Sequence, residues 1–243
     1  LTGKDIELTN CGGSRDHTER LLKLMGADIK WDEDSVQLKQ SKLRPFEITV
    51  PGDPSSAAFF LCASVMTPGS KVTVENMLLN ETRIGFIRVL ESMGAKLEIT
   101  VTDDSWEPIG NVTASYSELK PFSITAQQIP SLIDELPILA LVATQADGVS
   151  TVSGAQELRV KESDRIQTTV QAITKLGGNI KATEDGFVID GSTIITPTEE
   201  VLVTNGDHRL AMMLSIAGQT ALDDIACVDV SFPDFYKTLE SLK

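Results

Sequence analysis

At 243 residues, with 41% hydrophobic and 23% charged side chains, the chain can bury one substantial core and begin a second structural unit. Its net charge of −14 at pH 7 argues against nucleic acid or an anionic membrane as a partner, because both require a basic surface. No apolar run is long enough to cross a bilayer, and Cys11, Cys62 and Cys227 lack the spacing of metal ligands. We therefore expect a cytoplasmic protein with free thiols and no bound metal.

The first 51 residues predict a short set of elements that ends at a hinge. Their pattern indicates a strand, a helix and two strands, at residues 5–8, 18–25, 27–31 and 36–39. The helix and its two following strands leave a face that further elements would cover, so we expect the rest of this domain to lie upstream of Leu1. Pro51-Gly52-Asp53-Pro54 then combines rigid prolines with a free glycine, which is typical of a hinge.

Residues 52–243 repeat a pattern of helix, strand, helix, strand and strand. The three copies begin near Ser55, Asp134 and Asp207, at intervals of about 75 residues, which favours large units folded around one core. The third copy predicts a strand over Ile225–Val230, followed by a last helix.

Glycines mark three helix ends. Gly26, Gly94 and Gly177 each follow an amphipathic stretch and precede an alternating one. A glycine after the last helical turn stops a helix, so each position predicts a helix followed by a strand.

Polar clusters lie at the starts of the three repeated helices, which we expect at one end of the molecule. Helix N-termini attract anions through free N–H groups and the helix dipole. Ser55, Ser56 and Asp207 are equally well explained as N-capping residues. Arg209 is harder to explain structurally, because a cation in the first helical turn opposes the dipole. We interpret it as an anion-binding residue, since arginine offers a planar fork to carboxylate or phosphate.

The run Glu157–Arg165 is the densest charge cluster of the chain. One interpretation is a solvated face next to a helix, with Ser163 or Asp164 as the helix cap. The other is a site, because Lys161, Glu162 and Arg165 combine a carboxylate for proton transfer with cations for a charged substrate.

Two further positions carry ionisable groups near helix starts. Asp134 and Glu135 precede an apolar stretch, so we expect one carboxyl to be partly buried, with a raised pKa that suits a general base. His17 lies at the start of a predicted helix, where a capping arrangement and a ligand role are about equally consistent with the sequence.

Six blocks of the chain carry a resemblance to a known family. They are Ser14–Glu19, Pro51–Ala57, Ile133–Glu135, Leu158–Arg165, Asp207–Met212 and Ser231–Pro233. In this order they resemble 5-enolpyruvylshikimate-3-phosphate synthase, and the match covers nearly the whole chain. The fourth and fifth blocks together are highly specific.

The resemblance implies an α/β fold, the inside-out α/β barrel of repeated βαβαββ units of the enolpyruvyl transferases, here truncated at the N-terminus. In that fold two domains of three units each close on the substrates about a two-stranded hinge. Residues 1–51 would be the end of one domain, and 52–243 the three-unit domain with the catalytic residues on the phosphoenolpyruvate side. Such a half-site, whose partner is the missing upstream half, is expected to be inactive alone.

The resemblance also implies a reaction and its residues. An enolpyruvyl group moves from phosphoenolpyruvate to the 5-hydroxyl of shikimate 3-phosphate, with no cofactor or metal. Asp134 would hold the shikimate hydroxyls and act as base, and Glu162 would transfer protons at the phosphoenolpyruvate methylene. The residues assigned to binding are Ser14, Arg15, Asp134 and Lys161 for shikimate 3-phosphate, and Arg165 and Arg209 for phosphoenolpyruvate.

One departure and two alternatives accompany this resemblance. Val230 occupies a position where many family members have a lysine, so no lysine is assigned there. The related transferase that acts on UDP-N-acetylglucosamine is one alternative, disfavoured because no cysteine lies in a reactive loop. A non-catalytic module that kept the fold is the other.

Overall fold

The computed structural model describes residues 4–11 and 13–242, and its first elements form a small antiparallel sheet with one helix. These elements are β1 (Ile6–Thr9), α1 (His17–Leu24), β2 (Ile29–Trp31) and β3 (Ser35–Leu38). Strand β3 is central and pairs with both β1 and β2. No residue of α1 is buried, and Ile6 and Leu8 of β1 are 42% and 53% exposed, so the described residues leave apolar surface of this unit uncovered.

A helix and a second three-stranded sheet follow residues 51–54. The elements are α2 (Pro54–Met66), β4 (Lys71–Leu78), α3 (Gly85–Ser92), β5 (Lys96–Asp103) and β6 (Ile109–Ser115). Strand β6 is central and antiparallel to β4 and β5. Asp53 caps α2 by accepting the Ser56 N–H at 3.0 Å, and Pro54 takes the first helical position, where no N–H is needed.

The next unit builds a four-stranded sheet. Its elements are β7 (Ser123–Ile124), α4 (Leu136–Ala143), β8 (Val149–Val152), α5 (Arg165–Lys175), β9 (Asn179–Ala182) and β10 (Phe187–Asp190). The strand order is β7-β8-β10-β9, with β7 parallel to β8 and the other pairs antiparallel. Short 3-10 helices at Ile129–Ser131, Ile133–Glu135 and Gln156–Val160 lead into α4 and towards α5.

The last unit contains α6 (His208–Ile216) and α7 (Phe235–Ser241), and here one prediction is wrong. The expected strand over Ile225–Val230 is a 3-10 helix, Ala226–Val230. The adjacent residues Cys227 and Val228 are both buried, whereas a strand would place neighbours on opposite faces. Asp224 starts the turn by accepting the Cys227 N–H at 3.1 Å.

Helices α2, α4 and α6 pack against one another in the centre of the chain. Every residue of α4 is buried, and so are ten of the thirteen in α2, as expected for helices that are apolar on all sides. The sheets lie outside them, with α2 against β4 and β6, and α4 against β10. Helices inside and sheets outside are the inside-out arrangement that the resemblance implied.

Two smaller predictions are confirmed. Gly26, Gly94 and Gly177 follow α1, α3 and α5 with φ of +88°, +85° and +92°, the left-handed conformation of a helix stop. The three cysteines are free, with Cys62 and Cys227 buried. Among the described residues, no helix is both long and apolar enough to cross a membrane.

Candidate active site

Arg165 lies at the centre of a buried cluster of charges. Asp164 caps α5 by accepting the Gln167 N–H at 3.0 Å, which makes Arg165 the first helical residue. Its side chain is only 2% exposed, and four of its five N–H groups donate to carboxylates. The distances are 2.8 and 3.1 Å to Asp207, 2.6 Å to Glu162 and 3.2 Å to Asp134.

This cluster brings three helix starts together. Asp207 caps α6 by accepting the Arg209 N–H at 3.0 Å, and Asp134 lies in the 3-10 turn before α4. Arg165 at the start of α5 binds both. Burial alone would raise the pKa of Asp207, but the hydrogen bonds and charge of Arg165, with the Ser163 hydroxyl at 2.9 Å, hold that pKa below its usual range.

Asp134 and Glu135 have opposite electrostatic environments although they are adjacent. Burial pushes the pKa of Asp134 up, yet the cations Arg209, Lys161, Arg15 and Arg165 outweigh burial and keep its pKa low. Asp134 is therefore ionised at neutral pH.

Glu135 is the buried carboxyl that the sequence led us to expect. It is 3% exposed, and burial raises its pKa to about 7, against the opposing effects of Ser55 and Arg209. Its Oε1 has no hydrogen-bond partner among the described residues. The raised pKa thus belongs to Glu135, whereas Asp134, expected to act as base, keeps a low one.

Cations from three segments face these carboxylates. Arg15 donates to Asp134 at 3.2 Å and is 39% exposed. Lys161 pairs with the exposed Glu157 at 3.2 Å. Arg209 has a buried Nε that finds no hydrogen-bond partner within the described ranges. A guanidinium with an unused donor at a helix start is well placed to bind an anion.

The two arginines that were assigned to phosphoenolpyruvate therefore differ. Arg165 is already bound by three carboxylates, and one of its N–H groups has no partner among the described residues. The Nε of Arg209 likewise has no partner in that part of the chain. Of the three carboxylates that bind Arg165, Glu162 is the most exposed, at 48% against 18% for Asp134 and 0% for Asp207.

Ser14 is exposed and lines a different part of the surface. It borders a cavity of about 550 Å³ between the first sheet and the turn at Gln127–Ser131. The charged residues around Arg165 do not line this cavity. The structure thus places the Arg15 side chain in the charged cluster around Arg165, and it places Ser14 on the separate cavity.

A second polar cluster was not foreseen from the sequence. Glu107 follows β5, is fully buried, and accepts from His17 Nδ1 at 2.6 Å and Asn80 Nδ2 at 2.7 Å. His17 therefore binds a carboxylate, and no side chain caps α1. His17 and Glu107 are 90 residues apart, and no local pattern in the chain links them.

Asp16, His17 and Glu107 also have ligand atoms within 4.8 Å of one another, a spacing that can suit a metal ion. The guanidinium of Arg20 already supplies positive charge there, with Nε 2.8 Å from Asp16 and 3.5 Å from Glu107. We interpret the trio as a hydrogen-bonded cluster, because its carboxylates are bound by cationic and amide donors.

Comparison with known proteins assigns the chain to a family. A family model described as EPSP synthase (3-phosphoshikimate 1-carboxyvinyltransferase) matches residues 1–239. The chain belongs to the EPSP synthase family. Two curated relatives are named 3-phosphoshikimate 1-carboxyvinyltransferase. The one from Thermodesulfovibrio yellowstonii is 46% identical, over 98% of this chain and 57% of that protein. The one from Endomicrobium trichonymphae is 44% identical, over 94% of this chain and 55% of that protein. The chain spans about half the length of the curated relatives it matches.

Solved structures agree with the EPSP synthase assignment. An EPSP synthase from Acinetobacter baumannii superposes with a TM-score of 0.91 at 35% identity, over 98% of this chain and 57% of that one. The enolpyruvyl transferase NikO from Streptomyces tendae has a TM-score of 0.78 at 19% identity, over 100% of this chain and 56% of that one. This similarity shows a shared fold. The chain therefore has the enolpyruvyl transferase fold of the EPSP synthase family.

Proposed function

We propose that this chain supplies one half of an enolpyruvyl transferase that acts on phosphoenolpyruvate and shikimate 3-phosphate. The observation that carries the proposal is the cluster around Arg165. In a member of the EPSP synthase family, this cluster joins Asp134, Glu162 and Asp207 beside an arginine with an unused donor. Carboxylates for proton transfer thus lie next to cations for an anionic substrate.

The reaction that we propose is an addition followed by an elimination. The 5-hydroxyl oxygen of shikimate 3-phosphate attacks C2 of phosphoenolpyruvate while C3 gains a proton and the hydroxyl loses one. C3 then loses a proton, the C2–O bond to phosphate breaks, and inorganic phosphate leaves. The residues need only position the substrates and move protons, so the proposal includes neither a metal nor an organic cofactor.

Asp134 and Glu162 divide the proton transfers in this proposal. Asp134 is ionised, which suits a group that orients the shikimate hydroxyls and accepts the proton of the attacking one. Glu162 is half-exposed at the edge of the cluster, where its carboxyl can reach a bound methylene and exchange a proton with it.

In this proposal the cations of the site bind the phosphate and carboxylate groups of the two substrates. Arg209, with its unused Nε, is the first candidate for phosphoenolpyruvate, and Arg165 would join it once Glu162 moves aside. Shikimate 3-phosphate would lie between Ser14 and Arg15 on one side and Lys161 on the other. Arg15 would then exchange its contact with Asp134 for one with the phosphate.

Domain organisation and partner belong to the same proposal. We assign residues 1–51 to the end of one domain with its hinge, and 52–243 to the three-unit domain. The exposed Ile6 and Leu8 are surface for the companion half to cover. The free thiols and the acidic surface fit a cytoplasmic enzyme with small-molecule substrates and no nucleic-acid partner.

A reconstitution experiment tests the proposal. The chain is joined to the segment of the Thermodesulfovibrio yellowstonii relative that it does not match, and this reconstituted enzyme is mixed with both substrates. We expect phosphate release that requires both substrates and an enolpyruvyl product visible by mass spectrometry. The chain alone should release none, because half of the site is absent. Phosphate release by the chain alone, or a silent reconstituted enzyme that binds neither substrate, would contradict the proposal.

A further inference from the structure

The buried carboxylate of Glu107 has no part in the proposed chemistry, yet it is bound by residues from two distant segments. Its Oε1 accepts from His17 Nδ1 at 2.6 Å, and its Oε2 accepts from Asn80 Nδ2 at 2.7 Å. The Nε of Arg20 lies 3.5 Å from Oε2. Glu107 is fully buried, so these donors replace all of its water.

Asp16 extends this cluster along the start of α1. Asn80 Nδ2 donates to Asp16 Oδ1 and to Glu107 Oε2, both at 2.7 Å, so one amide group holds two carboxylates. Asp16 also accepts from Arg20 at 2.8 Å and Trp31 at 3.3 Å. The oxygen of Asn80 is bound by Thr82, which fixes the orientation of the amide.

Polar contacts supplement the partial apolar burial of α1, whose Leu21 and Leu22 are only half-buried. No residue of α1 is buried, and no side chain caps its first turn. A helix without buried side chains is held weakly by its own sequence, so its position depends on specific contacts at its ends. Those contacts at its N-terminal end are the ones to Glu107 and Asn80, on the loops beside β5 and β4.

The segment placed by these contacts is part of the proposed site. Arg15 immediately precedes Asp16, and its guanidinium reaches Asp134 at 3.2 Å. Ser14 is next to it. A shift of about 1 Å at the start of α1 is enough to weaken contacts with a bound substrate.

We propose that Glu107 is a positioning residue that binds His17 and Asn80 to set Ser14 and Arg15 for shikimate 3-phosphate. The role in substrate binding rests on the proposed function, whereas the placement of α1 does not. In Glu107→Gln the negative charge of the acceptor is lost, so the contacts to His17 and Asn80 change from charge-assisted to weaker neutral hydrogen bonds. The overall shape is kept.

Hydrogen exchange on the 243-residue chain tests the placement. In Glu107→Gln, we expect backbone amides of α1 to exchange roughly tenfold faster, while those of α4 stay unchanged. His17→Leu, which leaves Glu107 in place, should give the same pattern. Glu98→Gln removes an exposed carboxylate of β5 and serves as the matched control, with no change. Unchanged α1 exchange, or equal acceleration in α1 and α4, would overturn the proposal.

Steady-state kinetics of the reconstituted enzyme test the consequence for substrate. Glu107→Gln should raise KM for shikimate 3-phosphate roughly tenfold and leave kcat and the KM for phosphoenolpyruvate within about twofold. Equal rises of both KM values, or a lower kcat alone, would overturn the substrate role. A reconstituted enzyme that is silent before mutation and binds neither substrate would contradict the proposed function instead, and the exchange result would still decide whether Glu107 positions α1.

Discussion

Arg165 and Asp207 form a two-point ion pair inside the protein, with Nε donating to Oδ2 at 2.8 Å and Nη2 donating to Oδ1 at 3.1 Å. The two side chains are 2% and 0% exposed. At such burial, attraction offsets the loss of water only when the geometry is good and the remaining atoms are hydrogen-bonded. The geometry is good, and the Ser163 hydroxyl and the Arg209 N–H also donate to the Asp207 carboxylate, while a single N–H of Arg165 has no partner among the described residues.

The first prediction follows from this pair. Arg165→Met keeps most of the side-chain volume but leaves Asp207 as a buried charge without its cation. We expect the free energy of unfolding of the 243-residue chain to fall by about 3–5 kcal/mol, measured by urea denaturation. The matched control is Arg88→Met, which removes two exposed ion pairs and should cost at most about 1 kcal/mol. Equal effects of the two variants would mean that the Arg165 pair does not stabilise the fold.

The second prediction concerns the buried carboxyl of Glu135. Its pKa is about 7 in the folded chain against 4.5 as the ordinary value, so the folded state holds a proton that the unfolded state releases in this window. The contribution of Glu135 to the free energy of unfolding should therefore fall as the pH rises from 4.5 to 7 and then stay level. Glu135→Gln mimics the protonated form and should gain about 3 kcal/mol over the wild type between pH 4.5 and pH 8.

Urea denaturation across this pH range measures the effect. Glu98→Gln changes an exposed carboxyl and provides the matched control. The assignment would be wrong if Glu135→Gln and Glu98→Gln showed the same dependence on pH.

How much of this structure the sequence predicts depends on whether a feature is set by neighbouring residues or by residues far apart in the chain. Helix stops at Gly26, Gly94 and Gly177 are local, and the structure confirms them. The Ile225–Val230 stretch alternates too little to distinguish a strand from a helical turn, and the cap at Asp224 decides the outcome.

The candidate site shows the same limit. The sequence left two interpretations open for the charged run before α5, a solvated face and a site, and only the fold reveals that Arg165 is buried among three carboxylates. Glu107 lies 90 residues from His17, and neither residue carries a local sign of the contact. Contacts of this kind depend on tertiary packing, which a single sequence does not display.

The third prediction separates the two substrates of the reconstituted enzyme. Arg209→Ala removes the guanidinium whose Nε lacks a partner, so phosphoenolpyruvate should lose a charge-assisted contact worth about 1.5–3 kcal/mol. Binding of shikimate 3-phosphate should change little. Isothermal titration with each substrate measures both affinities, and Arg88→Ala on α3 is the control arginine. Equal weakening of the two substrates would contradict the assignment of Arg209.

The fourth prediction separates chemistry from structure at Glu162. Its carboxylate accepts from Arg165 at 2.6 Å but is 48% exposed, so Glu162→Gln can keep that hydrogen bond while it loses the ability to exchange a proton. In the reconstituted enzyme we expect kcat to fall by roughly 10²–10⁴-fold, with both KM values nearly unchanged. Glu184→Gln, an exposed glutamate before β10, should keep full turnover. If Glu162 serves only as a partner of Arg165, Glu162→Gln will leave kcat intact, and Glu162 then has no place in the proposed mechanism.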